Sequence, residues 1–186
     1  MELFPGLQIG WINGWLAIVL LALTEGLLFL VSPKEVVKRL FDRSGWSQRQ
    51  KNLTIAGKLC TLVCLTLVTL TPLKLESPVF WVGGACIVLG LAGLVKAIID
   101  FRDTPLGQPV TKGIYRISRH PQIVMASLVI LGACIAAGSW PAVFFWTAAR
   151  LLEHFSLLAE EETCLKRYGS SYQVYLQQVP RYFIVF

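Results

Sequence analysis

Arg119 and His120 stand directly before Pro121, and roughly forty residues later come Glu160, Glu161 and Glu162. A guanidinium presents a planar fork of donors suited to a carboxylate or a phosphate. Pro121 restricts His120 to an extended conformation and can itself open a helix, which fixes the direction of the His side chain. The three glutamates follow Leu157-Leu158-Ala159 without a break. Consecutive helical positions point about 100° apart, so the three cannot face water equally if that helix packs. Both charged clusters adjoin apolar segments, where they are costly unless they meet each other or a charged ligand. Their pairing predicts a polar pocket built against a bilayer, with Arg119 and Glu161 as the candidate catalytic residues. The ordinary alternatives are a loop histidine and a solvated helix face, the usual fate of a charge run.

The elements that must position these residues are written in the hydropathy. Of the 186 residues 55% are hydrophobic and 15% charged, well above the apolar share of a soluble domain. Crossing a bilayer takes about 20 apolar residues per helix. Candidate spans run from about Gly10 to Val31, Leu53 to Thr71, Pro78 to Ile99, Pro121 to Gly138 and Trp140 to Leu158. The last two are separated by Ser139 alone, which predicts a tight helical hairpin. No repeat, low-complexity tract or linker divides the chain. The expected fold is all-α, a polytopic membrane bundle of about five helices forming one domain over 1–186.

Charge placement orients that bundle. Lys34, Lys38, Arg39, Arg43, Arg49, Lys51 and Lys58 follow the first span, and Lys96, Arg102, Lys112, Arg116 and Arg119 surround the third loop. Arg150, Lys166, Arg167 and Arg181 lie toward the carboxyl end, while the opposite loops hold only Lys74. The positive-inside rule then places the amino terminus outside and the carboxyl terminus in the cytosol. The net charge of +6 reads as topology and anionic-lipid contact, with no nucleic-acid partner. The amino terminus lacks a basic n-region and a small-residue cleavage site, so its apolar run is expected to be a retained span.

Finer features fit the same picture. Pro33 to Lys51 mixes apolar and basic residues as an amphipathic interfacial helix does, with a turn at Ser44-Gly45. Gly83, Cys86, Gly90, Gly93 and Ala97 put a stripe of small residues on one face of the third span, suited to close packing by a neighbour. Ser139-Trp140-Pro141 suits an outer-interface turn. Ala159 to Gln178 should leave the membrane as a helix, with Leu165, Tyr168, Tyr172, Tyr175 and Leu176 on one stripe broken by Gly169 and Ser170. Glu25 reads as satisfied or snorkelling near a helix end, and His154, six residues before Glu160, as structural. The five cysteines are odd in number and mostly intramembrane, and Cys60 and Cys64, which would share a helix face, have no His or acid with them, which favours packing over metal. No dinucleotide or phosphate-loop glycine motif, no Gly-x-Ser-x-Gly and no His-Glu-x-x-His is present. Those absences exclude a Rossmann domain and leave serine-hydrolase and zincin chemistry without support.

Gly113-x-Tyr115, Arg119-His120-Pro121, Glu160-Glu161, Tyr168-Gly169-x-x-Tyr172-x-x-Tyr175 and Val179-Pro180-Arg181 together resemble the carboxyl-terminal signature of the isoprenylcysteine carboxyl methyltransferase family. Small bacterial membrane methyltransferases and phospholipid methyltransferases are similar. The resemblance covers about Gly107 to Phe186. It implies S-adenosylmethionine as methyl donor, bound on the cytosolic side of a bacterial inner membrane, and a lipophilic or small thiol, carboxyl or amine acceptor entering from the lipid. Membrane lipids are the expected surroundings. Carried over by residue, the cofactor site would comprise Gly113, Tyr115, Arg119, His120, Pro121, Glu160, Glu161 and Tyr172. Arg119 and His120 would hold the cofactor's carboxylate and Glu160 or Glu161 its amino group or ribose hydroxyls. One departure is visible: family members commonly carry an aromatic two residues after the Pro, where this chain has Ile123. Sterol reductases share the Arg-His-Pro element and use NADPH, but resemble a larger bundle. A non-catalytic membrane adaptor or lipid-binding protein is the third reading.

Overall fold

The computed structural model of the chain describes residues 1–3 and 5–183. Seven α-helices and one 3-10 turn make up its regular structure, with no strand among the described residues, in line with the all-α expectation. The helices are α1 (Trp15–Leu30), α2 (Lys34–Leu40), α3 (Gln48–Leu70), α4 (Pro78–Arg102), α5 (Pro121–Ala137), α6 (Trp140–Tyr168) and α7 (Ser170–Gln178), with the 3-10 turn Gly113–Arg116 between α4 and α5. The last three residues covered by the resemblance lie outside the described residues.

Local chemistry sets the helix ends. Ser47 and Gln50 form a reciprocal capping box at the start of α3, so the predicted interfacial helix does not reach Lys51. It is only the short α2, followed by a turn in which Gly45 takes a φ of 88°. Proline sits in the first turn of α4, α5 and α6, where its missing N–H costs nothing. Gly138, at φ 67°, ends α5, and Gly169, at φ 58°, separates α6 from α7. The first helix begins at Trp15 rather than Gly10. Asn13, 2% exposed, instead donates to the carbonyls of Gln8 and Thr69 at 2.7 and 3.2 Å. Gly14 beside it packs on the backbone of Val68.

Helices α3 and α4 are each long and apolar enough to cross a membrane, whereas α1 and α5 are apolar but shorter. Many large apolar side chains face outward, among them Leu59, Trp81, Val88, Leu89, Phe144 and Leu151. A surface of that kind suits lipid rather than water. Inside, α4 lies along α5 and α3 along α6. The small-residue stripe makes the first pairing possible: a Cβ on Gly83 would stand 2.5 Å from the Ala136 nitrogen, and one on Gly90 2.7 Å from Val129. On α3, Gly57 packs against Leu152, and Thr54 shares a 2.7 Å hydrogen bond with Ser156. The predicted hairpin is therefore corrected. The turn at Gly138-Ser139 is tight and Trp146 Nε1 of α6 donates to the Ser127 carbonyl of α5 at 3.0 Å, but each helix packs most closely on a different partner. Between the two pairs lies the space that becomes the site.

Candidate functional site

The loop before α5 is fastened from two sides. Gly113 takes a φ of 59° and packs on the carboxylate of Asp100, which also accepts from the Ile114 N–H at 2.9 Å and pairs with Lys96. No residue with a Cβ fits there, so Gly113 is a turn residue. The Tyr115 carbonyl accepts from the Tyr175 hydroxyl at 2.7 Å. The Arg119 N–H donates to the Pro180 carbonyl at 3.0 Å, and the Ser118 hydroxyl donates to the Arg181 carbonyl at 2.9 Å. The segment after α7 thus holds the Arg-His-Pro element in place.

Glu161 is the meeting point of the charges. Its Oε1 accepts from His120 Nε2 at 3.1 Å and Arg181 Nε at 2.9 Å. Its Oε2 accepts from Arg181 Nη2 at 2.7 Å and pairs with Arg119 Nη1 at 3.0 Å. Burial works to raise its pKa, but the His120 and Arg181 hydrogen bonds and the nearby Arg119 charge outweigh that and hold it at about 2. Its neighbours diverge as helix geometry requires. Glu160 is about half exposed, with Oε2 3.7 Å from His120 Nδ1, while Glu162 turns away to Lys166 and Gln50. Arg119, His120, Glu160 and Glu161 are therefore together in space.

Beside this cluster lies a cavity of about 290 Å³, near the small end of the size range of ligand pockets. Tyr115, Arg119, His120, Glu160 and Tyr172 line it. Gly113, Pro121 and Glu161 do not, and stand behind the wall as framework. Tyr115 and Tyr172 are buried, and burial pushes both phenols up from their ordinary pKa, so they meet a ligand as neutral rings and donors. Gln122 and Ile123, at the place of the departure from the family pattern, also form wall. Among the described residues four buried side-chain donors lack a protein partner, namely Trp46 Nε1, Arg119 Nε, Gln122 Nε2 and Arg150 Nε, and all four belong to cavity-lining residues. Buried donors are normally satisfied, so donors gathered around one cavity could meet the acceptors of a ligand there.

Sequence reasoning missed Arg181 behind the wall and Arg39 on it. Arg181 appeared only as part of a motif and a charge count, yet it makes the bidentate clamp on Glu161. Arg39 reaches in from α2, its guanidinium 5.0 Å from the Phe101 ring centre and 5.8 Å from that of Tyr168, while donating to the Gln108 carbonyl at 2.6 Å. The α2 segment is also tied to α6 by Asp42 and Arg167. Only the concentration of basic residues after the first span hinted at this. His154 bonds Tyr182 at 2.9 Å, in keeping with its structural reading.

A family model described as phospholipid methyltransferase matches residues 78–171. The match runs from the first residue of α4 into the first turn of α7, so it holds Arg119, His120, Glu160 and Glu161 but not α1 to α3 or Arg181. No curated protein and no solved structure matches the chain. The resemblance to membrane methyltransferases drawn from the motifs is borne out at the level of the family.

Proposed function

The chain belongs to the phospholipid methyltransferase family, and from that premise we propose that it is an integral-membrane methyltransferase using S-adenosylmethionine and acting on a lipophilic acceptor. The observation that carries this reading is the cavity with Arg119, His120 and Glu160 on its wall and unpartnered donors around it. Such a wall fits a ligand with a carboxylate, an ammonium and a nucleoside. When bound, the cofactor supplies an electrophilic methyl group on a sulfonium sulfur. Family membership favours this over the NADPH reductase reading and the non-catalytic adaptor.

Each residue then has a part. Arg119 holds the carboxylate, with its Nε donor unspent, and His120, whose Nε2 is bonded to Glu161, turns Nδ1 toward Glu160 beside it. Glu160, half exposed on the wall, takes the ammonium or the ribose hydroxyls. Tyr115 and Tyr172 offer aromatic faces, favourable beside a sulfonium by cation–π attraction. Glu161 is a positioning residue: its oxygens are occupied by Arg119, His120 and Arg181, and a carboxylate held at about 2 is a poor base. Its expected catalytic part is replaced by that role. Alignment and exclusion of water, supplied by the packed bundle, would provide most of the acceleration. In this reading five spans cross a bacterial inner membrane, with the amino terminus outside and the cavity mouth facing the cytosol. The acceptor enters laterally.

Calorimetry on the purified protein tests the proposal. S-adenosylhomocysteine, the demethylated product, should bind in the micromolar range, and NADPH should not. Labelled methyl cofactor added to membrane extracts should deposit label in the lipid fraction. NADPH binding without S-adenosylhomocysteine binding would overturn the assignment.

A further inference from the structure

Ionisable side chains also line the cavity farther back along α6 from Glu160, among the apolar stretches. Arg150 and Glu153 come from α6 and form an ion pair, their side chains 22% and 27% exposed. Glu153 precedes Glu160 by seven residues and Arg150 by ten, which is about 10 and 15 Å along a helix rising about 1.5 Å per residue. Helix α3 runs antiparallel beside them: Thr54 bonds Ser156, Gly57 packs on Leu152, and Thr61 lies 3.4 Å from Arg150 Nη2. That register sets Lys58, also on the cavity wall, level with the Arg150–Glu153 pair.

Packing does not account for these charges. The α3–α6 contact is already made by Gly57 and the Thr54–Ser156 bond, and ionisable groups at span depth mark functional sites by default. Glu153 is neutralised by Arg150, whereas Lys58 has no ion pair among the described residues and Arg150 Nε has no partner. Glu25 makes the formal charges on this wall two of each sign, and Lys58 and Arg150 Nε are its donors without a partner among the described residues. Glu25 reaches the same cavity from α1, but it is not ion-paired to Lys58.

We propose that Lys58, which is exposed on α3, and Thr61, Arg150 and Glu153 form a second polar subsite where α3 and α6 wall the cavity, which holds the acceptor's head through an anionic group, a phosphate or a carboxylate. It rests on the methyltransferase reading, since it needs the cofactor at the Arg119–His120 end. Lys58 and Thr61 lie outside the residues the family model matches, so this subsite would set this chain's own acceptor choice. Glu153 holds Arg150 in place, Thr61 faces it across the helix pair, and the donors of Arg150 and Lys58 point the acceptor's reacting end back toward the cofactor.

The test uses the whole chain in a neutral maltoside detergent, immobilised, with labelled dodecyl phosphate as probe. Unlabelled dodecyl phosphate or dodecanoate should displace the label at about a tenfold lower concentration than dodecanol, as a charged hydrogen bond of roughly 1.5–3 kcal/mol predicts. Whichever of the two acids competes better identifies the anion. Lys58→Gln and Arg150→Gln should each weaken probe binding about tenfold, and Arg150→Lys should restore part of it. Lys58 makes no bond in the described structure, so Lys58→Gln keeps the test sound if the Arg150 variant folds poorly. Equal competition by dodecanol, or unchanged binding in both glutamine variants, would overturn the subsite. S-adenosylhomocysteine binding on the same samples separates the two failures: its absence in the unaltered protein sinks the methyltransferase reading, whatever the probe does.

Discussion

Glu161 gathers Arg119, His120 and Arg181 onto one carboxylate, and its charge ties the loop before α5 to the segment after α7. Its pKa is depressed from the ordinary 4.5 to about 2. Its contribution to stability is therefore fully present above pH 4.5 and lost as the pH falls through 2. Glu161→Gln should lower the melting temperature at neutral pH, and the gap from the unaltered protein should close between pH 4.5 and 2 in a detergent melting series. A gap that does not change with pH would show that the carboxylate's charge is not what matters. Glu160→Gln should behave differently: about a tenfold loss of S-adenosylhomocysteine affinity with little change in melting temperature, because Glu160 is half exposed and makes no short bond. Arg119→Ala should lose at least about tenfold in methyl transfer, and normal turnover in folded protein would remove it from the site. The sequence carried the meeting of Arg119-His120 with the glutamates, because charges beside apolar segments have few other solutions. Which glutamate faces the cavity was not legible, since three adjacent positions differ only by helix rotation. Arg181 was hidden because its partner lies twenty residues away across a chain reversal.

Among the elements, the α4–α5 contact gives the cleanest test of packing. A Cβ on Gly83 would meet the Ala136 nitrogen at 2.5 Å, whereas one on Gly84 meets nothing within 4 Å. Gly83→Ala should therefore destabilise by about 1–3 kcal/mol, as overpacking does, and Gly84→Ala should be neutral or slightly stabilising. Equal melting temperatures for the two variants would contradict the close approach of α4 and α5. The stripe that makes this contact was legible in the sequence, as were the centres of all the apolar segments. Helix ends were less so. Asn13 donates to the carbonyls of nearby Gln8 and distant Thr69 ahead of α1, which starts at Trp15, and the Ser47–Gln50 capping box takes residues from the predicted interfacial helix. The pairing of helices was the largest miss. A short connection at Ser139 suggested that α5 and α6 pack together, but small residues on α4 and α3 offered each a closer partner. Chain proximity lost to surface shape, and the cavity exists because it did.

For the whole molecule, the two ends of the bundle differ in kind. At one end Glu2 pairs with Lys74, and its backbone joins Gly138 and Trp140. Toward the other end Arg39, Arg119, Arg167 and Arg181 are engaged with the loop after α4, with Glu161 and with Asp42. The family-matched segment ends there, and so does the proposed cofactor position. If the proposed cofactor binds at that end, it cannot arrive through lipid, and the basic end then has to face the compartment that makes it. The positive-inside rule gives the same orientation independently, because Lys74 alone among the lysines and arginines falls in the opposite loops. Single cysteines placed at Lys74 and at exposed Lys112 distinguish the two faces. An impermeant maleimide should label Lys74→Cys in intact cells above the background of the native thiols, and should label Lys112→Cys only after permeabilisation. The reverse pattern would put the cavity mouth on the wrong side for a cytosolic methyl donor, and with it the proposed reaction. Labelling of both positions from one side would break the count of five spans, since an odd number of crossings separates Lys74 from Lys112 through α4 alone.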